Sequence, residues 1–426
     1  MQPILKKNTY AKNKFHPHAL TIIVILGIGF LSTNSTATGM LGLRNMFRKP
    51  NTAYNYAVKA REYAGSGDYQ QAIEYCSKSL KADPSYAYSY GLRASCYKHL
   101  GEIEKAFADC NSAILLDQQH AHAYNLRARI YYEKGDSVNA IADCGKSINI
   151  TPYKPYPYGL RASCYCEEEK YNLALADCNK AIKIDQSYSH AYDVRARIYF
   201  QKGDFTNAIA SCRESIRVAP QNPYSHSLYG WIYEELGETD KALELISKAI
   251  ELAPDKPDYY LSRAHIYMDS GNYASAITDV EKANALGIDE IHGLLTIAEI
   301  SEKSGNSEKA LRLINETLEK HPDSVEVINA KAYLLCTTPE EAFRNGEEAL
   351  KLAEKAMELS PKRLPHIMDT LACAYAEVGQ FEKAIALQKE VAEKIKCKNS
   401  VKDHLTAFEN GKPWREKRSG TNKLAE

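Results

Sequence analysis

From about residue 53 to residue 398, apolar residues recur at three- and four-residue intervals in stretches of about a dozen positions. That spacing puts them on one face of a helix, so each stretch reads as a short amphipathic helix. The stretches come in pairs. Within most pairs a glycine marks the turn, at Gly67, Gly101, Gly135, Gly203, Gly237, Gly271 and Gly305. After many pairs a proline stops the second helix, at Pro84, Pro152, Pro220, Pro254 and Pro322.

The pairs are copies of one another. Alanine recurs every 34 residues from Ala72 through Ala106, Ala140, Ala174, Ala208, Ala242 and Ala276 to Ala310. Tyrosine does the same from Tyr63 to Tyr267. A longer copy overlies this one. Residues 87–154 and 155–222 share roughly half their positions, and the string GLRASCY stands at both Gly91–Tyr97 and Gly159–Tyr165. A single helix pair cannot bury its apolar face, so the pairs must stack to make a core.

This spacing of Tyr, Gly, Ala and Pro resembles the tetratricopeptide repeat over residues 53–398. The resemblance implies an all-α solenoid of ten helix-turn-helix units wound into a right-handed superhelix. The units begin near residues 53, 87, 121, 155, 189, 223, 257, 291, 325 and 365. Three depart from the pattern. The fourth has Glu169 in place of the turn glycine, the seventh ends in Gly287 and Ile288, and the ninth is stretched by about five residues around TTPEEAFRNG. The final strong unit, the run RNGEEALKLAEKAMEL before it and the closing GKPWRE look like the end of many bacterial proteins of this family. Residues 399–426 are expected to hold a capping helix over 400–410 and a charged tail whose last dozen residues are loose.

Composition narrows the function. The chain has 54 basic and 54 acidic residues, which argues against a nucleic-acid footprint. The N-terminus stands apart: Lys6, Lys7, Lys12 and Lys14 precede the apolar stretch Ala19–Leu31 and the small residues Ser35 and Ala37. This is a secretory signal pattern over residues 1–37, with an uncleaved anchor as the alternative, followed by a linker over 38–52. Cleavage before Thr38 would leave 50 basic against 54 acidic residues, a charge of −4. The expected location is exported or membrane-tethered, on the outer side of a bacterial inner membrane; a cytoplasmic protein is the alternative.

The chemistry-bearing residues mostly follow the repeat. Of the 11 cysteines, Cys76, Cys110, Cys144, Cys178 and Cys212 share one helix position. Equivalent atoms in stacked units sit roughly 10 Å apart, too far for disulfides, so these five read as small buried hydrophobes. Cys96 and Cys164 belong to the copied string, and Cys166, Cys336, Cys373 and Cys397 are scattered. No CxxC pair, histidine cluster, phosphate-binding loop or nucleophile elbow is present, so no metal, cofactor or enzymatic activity is expected. One pattern exceeds the family signature. Arg93, Arg127, Arg161, Arg195 and Arg263 share a first-helix position, and Asp109, Asp143, Asp177 and Asp279 share a second-helix position, with Ser211 in the fifth unit. Their co-occurrence predicts an ion pair inside each unit.

The resemblance also implies a concave groove lined by first-helix positions 2, 5, 9, 12 and 13. These are Tyr88, Gly91, Ser95, Lys98 and His99 in unit two; His122, Asn125, Arg129, Tyr132 and Glu133 in unit three; and Tyr156, Gly159 and Ser163 in unit four. Unit five contributes His190, Asp193, Arg197, Phe200 and Gln201, and unit six Tyr224, Ser227 and Trp231. The expected activity is non-enzymatic protein binding. Units two to six would take an extended peptide or partner helix through Tyr88, Ser95, His122, Asn125, Arg129, Tyr156, Ser163, His190, Asp193, Arg197, Tyr224 and Trp231. Arg129 and Arg197 point to an acidic or C-terminal carboxylate group flanked by apolar residues, unless both arginines pair internally with Glu133 or Asp193. The Lys/Asn/Arg clamp of chaperone-tail receptors is absent. The alternatives are a membrane-tethered or intracellular complex-assembly factor and the regulatory subunit of an enzyme.

Overall fold

Polar caps and glycine turns cut the chain into the helices that its periodicity predicts. Asp68, Asp136 and Asp204 each accept a hydrogen bond from a backbone N–H in the first turn of the following helix, at Gln71, Asn139 and Asn207. Proline at the first helical position starts the first helices of units four, six, seven and ten. The structure, a computed structural model, describes residues 52–360, 364–394 and 399–416. The export segment, nearly all of the linker, Cys397 and residues 417–426 lie outside the described residues.

The described residues divide into two compact bodies, one up to residue 219 and one from residue 220. The N-terminal body holds five helix pairs: α1 (Thr52–Gly65) with α2 (Tyr69–Ala82), α3 (Ala87–His99) with α4 (Ile103–Leu116), α5 (Ala121–Glu133) with α6 (Ser137–Ile150), α7 (Pro155–Glu167) with α8 (Tyr171–Ile184), and α9 (Ser189–Gln201) with α10 (Phe205–Val218). The C-terminal body holds α11 (Pro223–Glu235) with α12 (Thr239–Leu252), α13 (Pro257–Asp269) with α14 (Tyr273–Ala285), α15 (Glu290–Lys303) with α16 (Ser307–Lys320), α17 (Val325–Thr337) with α18 (Gly346–Leu359), and α19 (Pro365–Glu377) with α20 (Phe381–Lys394), closed by α21 (Asn399–Glu409). No strand occurs among the described residues. The stretch in unit nine forms a short 3-10 turn, Glu341–Phe343.

The alanines that recur every 34 residues are all fully buried, which lets the two helices of each pair approach closely. The five periodic cysteines are also fully buried, and ten cysteines are free among the described residues. Burial pushes these thiols up, Cys76 to about 12, so none is held as a ready thiolate. Glu169 takes φ 57 where most other units use glycine. A side chain in the left-handed region costs roughly 1–2 kcal/mol, which unit four carries.

A helix stands where the cap is expected, Asn399–Glu409, whereas the start of the tail differs from the loose end expected. Phe408 of α21 is 1% exposed and packs into the core of the last two units. Beyond α21 the chain returns across α17 and α19. Arg415 Nη1 donates to Cys336 O at 3.1 Å and to Glu377 Oε2 at 2.6 Å. Glu416 N donates to Thr337 O at 2.9 Å, and the Tyr333 hydroxyl donates to Glu416 Oε2 at 2.9 Å. Arg415 and Glu416 are therefore fixed rather than loose. The sequence concealed this because their partners lie far away along the chain.

Candidate functional site

The arginine position repeats nearly the same contacts in five units. In units two, three, four and seven the guanidinium forks onto the aspartate of its own unit, with Nε–Oδ2 at 2.7 Å in each. The second arm, Nη2–Oδ1, spans 2.8–2.9 Å. In unit five Arg195 Nε meets Ser211 Oγ instead, at 3.1 Å. The pairs are therefore intra-unit, as their co-occurrence predicts. A third arm leaves the unit. Nη1 donates to the preceding unit, at Ser77 (3.1 Å), Asn111 (2.7 Å), Asn179 (3.2 Å) and Ser247 (3.0 Å). Each of these acceptors stands 16 residues before its arginine. Arg127 is also flanked by the rings of Tyr124 and Tyr131, at 5.7 and 6.0 Å. One side chain thus ties two helices of its own unit to the second helix of the preceding unit, and its aspartate is buried.

The copied string GLRASCY has a packing explanation. A methyl group added at Gly91 would meet the His120 ring at 2.6 Å, and one at Gly159 would meet the Tyr188 ring at 2.7 Å. Ser95 Oγ lies 2.7 Å from His122 Nε2, and Ser163 Oγ lies 3.1 Å from His190 Nε2. The small residues of one unit therefore seat the aromatic residues that open the next. Alternation of small and large positions along the stripe follows from this fit between neighbouring units.

A second inter-unit contact runs along the stripe. The side chain at position 12 reaches position 13 of the following unit, 35 residues later: Lys98 Nζ to Glu133 Oε1 at 3.1 Å, the Tyr132 hydroxyl to Glu167 Oε1 at 2.6 Å, and Cys166 Sγ to Gln201 Oε1 at 3.2 Å. Glu133 Oε1 also accepts from Arg129 Nε at 2.8 Å. Arg129 is thus paired internally, the alternative its sequence context left open. His190 is pushed down to about 3, by burial first and then by Arg129 and Arg197. His122 is reached by solvent, yet the surrounding helices and then His120 hold it low, at about 4. Both imidazoles are neutral at ordinary pH, so the positive charge of this stripe rests on its arginines and Lys98.

Among the other expected site residues, Tyr88 and Tyr156 present open rings, 40% and 37% exposed. Arg197 is half-buried, and Ser163 and Asp193 are buried. Asn125 is half-buried, and its side-chain carbonyl oxygen is buried without a partner. Asn329 repeats this situation at the same position of unit nine. Tyr224 and Trp231 lie half-buried on α11 in the C-terminal body.

Asp369, Cys373 and His404 bring one donor atom each within 4.8 Å of one another. Their geometry is that of a hydrogen-bonded cap. His404 Nδ1 stands 2.8 Å from Asp369 Oδ1, which also accepts from Gln388 Nε2 at 2.7 Å. Two ligands on one tetrahedral zinc would keep about 3.3 Å between them. The cluster joins α21 to α19 and α20.

Models of the tetratricopeptide repeat match residues 63–130 and 199–266, residues 121–154, and residues 255–399. The chain is a tetratricopeptide repeat protein. Repeats of this family are generally non-enzymatic protein-interaction modules. No curated protein sequence matches the chain. Among solved structures, a tetratricopeptide repeat protein from Parabacteroides merdae is 17% identical and has a TM-score of 0.50, covering 58% of this chain and 98% of its own. At that identity the likeness bears on the fold alone. PilF of Pseudomonas aeruginosa (17% identity, TM-score 0.42) covers 50% of this chain and 96% of its own. A tetratricopeptide repeat protein from Thermus thermophilus (20% identity, TM-score 0.40) covers 42% of this chain and 98% of its own.

Proposed function

We propose that the chain is a non-enzymatic scaffold that holds an extended segment of a partner protein along the first-helix stripe of its N-terminal body. The carrying observation is Asn125. A buried carbonyl oxygen without a partner is costly, and a backbone N–H laid along the stripe would satisfy it. The open rings of Tyr88 and Tyr156 on either side supply rigid apolar anchors. Because Glu133 already pairs with Arg129, an acidic ligand must displace that contact, and the apolar anchors carry most of the affinity. Reversing Arg129→Glu together with Arg197→Glu, after a check of helicity by circular dichroism, is expected to weaken partner capture by at least about tenfold. Capture that survives this change, but is lost on substitution of exposed second-helix residues, rejects the stripe as the site.

We further propose that the chain works on the outer side of a membrane. The support is the lysine-led apolar stretch and the small residues before Thr38. The expected mass of the native protein is that of a chain starting near Thr38. An intact Met1 rejects cleavage and leaves the anchor.

A further inference from the structure

The contact between position 12 and position 13 fails in the C-terminal body, and it fails in one direction. Glu234 of unit six is followed at position 13 of unit seven by Asp269, a like charge. Glu302 of unit eight is followed by Thr337 of unit nine, whose hydroxyl is committed to Tyr333 O at 2.7 Å. Glu302 is 9% exposed, and both its carboxylate oxygens are buried without a hydrogen-bond partner. Glu299 stands at position 9 of the same helix. Lys303 is the one lysine or arginine on the stripe in units six to nine, and its Nζ is held by Asp269 Oδ1 at 2.7 Å. Glu234 is pushed up to about 8, by burial first and then by Asp269 and Glu235, with Lys303 opposing. The stripe is therefore short of positive charge, and removing unpaired carboxylate oxygens from water is expensive.

The chain itself shows how the shortage is met. At the last such contact, between units nine and ten, Arg415 arrives on the returning tail. Its Nη1 bridges Cys336 O and Glu377 Oε2. Arg344 stands on the same carboxylate, with Nε 3.5 Å from Glu377 Oε1. A cation carried on non-helical chain is thus what satisfies a groove acid in this body.

We propose that the stripe from Trp231 to Glu302 binds an extended segment of another protein that carries lysine or arginine. The incoming ammonium or guanidinium groups pair with Glu234 and Glu302, as Arg415 pairs with Glu377. Trp231 offers a ring face for the side chain of one of them. The segment comes from another protein because the chain's own lysine-rich residues 1–18 lead an apolar export or anchor stretch. This inference concerns a different body from the N-terminal stripe and stands or falls without it.

The test uses the full-length chain and a fluorescent peptide of alternating lysine and alanine. About ten residues, at roughly 3.3 Å each, span three units. Anisotropy titration is expected to show binding that weakens with added salt, and none with the matching glutamate–alanine peptide. Glu234→Gln with Glu302→Gln, nearly isosteric and neutral, is expected to weaken the lysine peptide by at least about tenfold. Glu281→Gln with Glu308→Gln, at exposed acids of α14 and α16, is expected to leave it unchanged. Failure of the wild-type chain to bind the lysine peptide overturns the proposal, as does an equal loss in both double variants. So does a gain of about tenfold when Lys6, Lys7, Lys12 and Lys14 are all changed to Gln, because the chain's own N-terminus would then be the occupant.

Discussion

Arg127→Leu is expected to destabilise the N-terminal body by about 3–5 kcal/mol, the range for breaking a buried ion pair from one side. Asp143 is 6% exposed and receives both Nε and Nη2 of Arg127, at 2.7 and 2.8 Å. Without the guanidinium, that carboxylate stays buried with nothing to neutralise it, and Asn111 Oδ1 loses its 2.7 Å contact as well. Adding Asp143→Leu should restore part of the loss. Two leucines can pack where two charges paired, and unit eight already carries Ile297 and Leu313 at these positions. The double variant is therefore expected to be more stable than Arg127→Leu alone, although the link to Asn111 remains lost. Chemical denaturation checks the order. Equal unfolding free energies for single and double variants would mean that the two side chains act independently. In a stack of repeats the loss is felt first in units two to four, so hydrogen exchange should show it there.

The second large effect lies at the other end. Phe408→Ala is expected to cost about 3–5 kcal/mol, as for other fully buried aromatic truncations. Phe408 packs against the core of units nine and ten and is the largest of the buried side chains described on α21, with Val401 and His404 beside it. Loosening α21 also frees Trp414, Arg415 and Glu416, which follow it directly and whose partners lie on α17, α19 and α21. Exchange protection should fall across α19 to α21 and in the tail, while α11 to α15 keep theirs. Unchanged protection of α21 would show that it is held by His404 and Asp369 rather than by the Phe408 contact.

An interaction is legible in the sequence when its partners recur at a fixed short spacing, and hidden when they do not. The forked Arg–Asp pair was legible because both partners recur in the same units, 16 residues apart, and arginine's planar donors match a carboxylate. Burial of the five periodic cysteines was legible because one helix position repeats one environment. The stripe residues could be placed from the repeat, but their states could not. Nothing in the order of residues says that Ser95 faces the His122 ring, that His120 fills the space beside Gly91, or that Glu133 takes both Arg129 and Lys98.

The sequence by itself determined the helices, their pairing into units and their number. Those follow from periodicity, caps and turn residues within spans of 34 residues, where local chemistry suffices. The tertiary structure alone decided how one unit meets the next. The arginine's third arm, the contacts between positions 12 and 13, the unpaired Glu302 and the return of Glu416 to Tyr333, 83 residues away, all depend on the offset between stacked helices. That offset is set by packing of whole faces, to which each residue contributes a little, so no single motif encodes it.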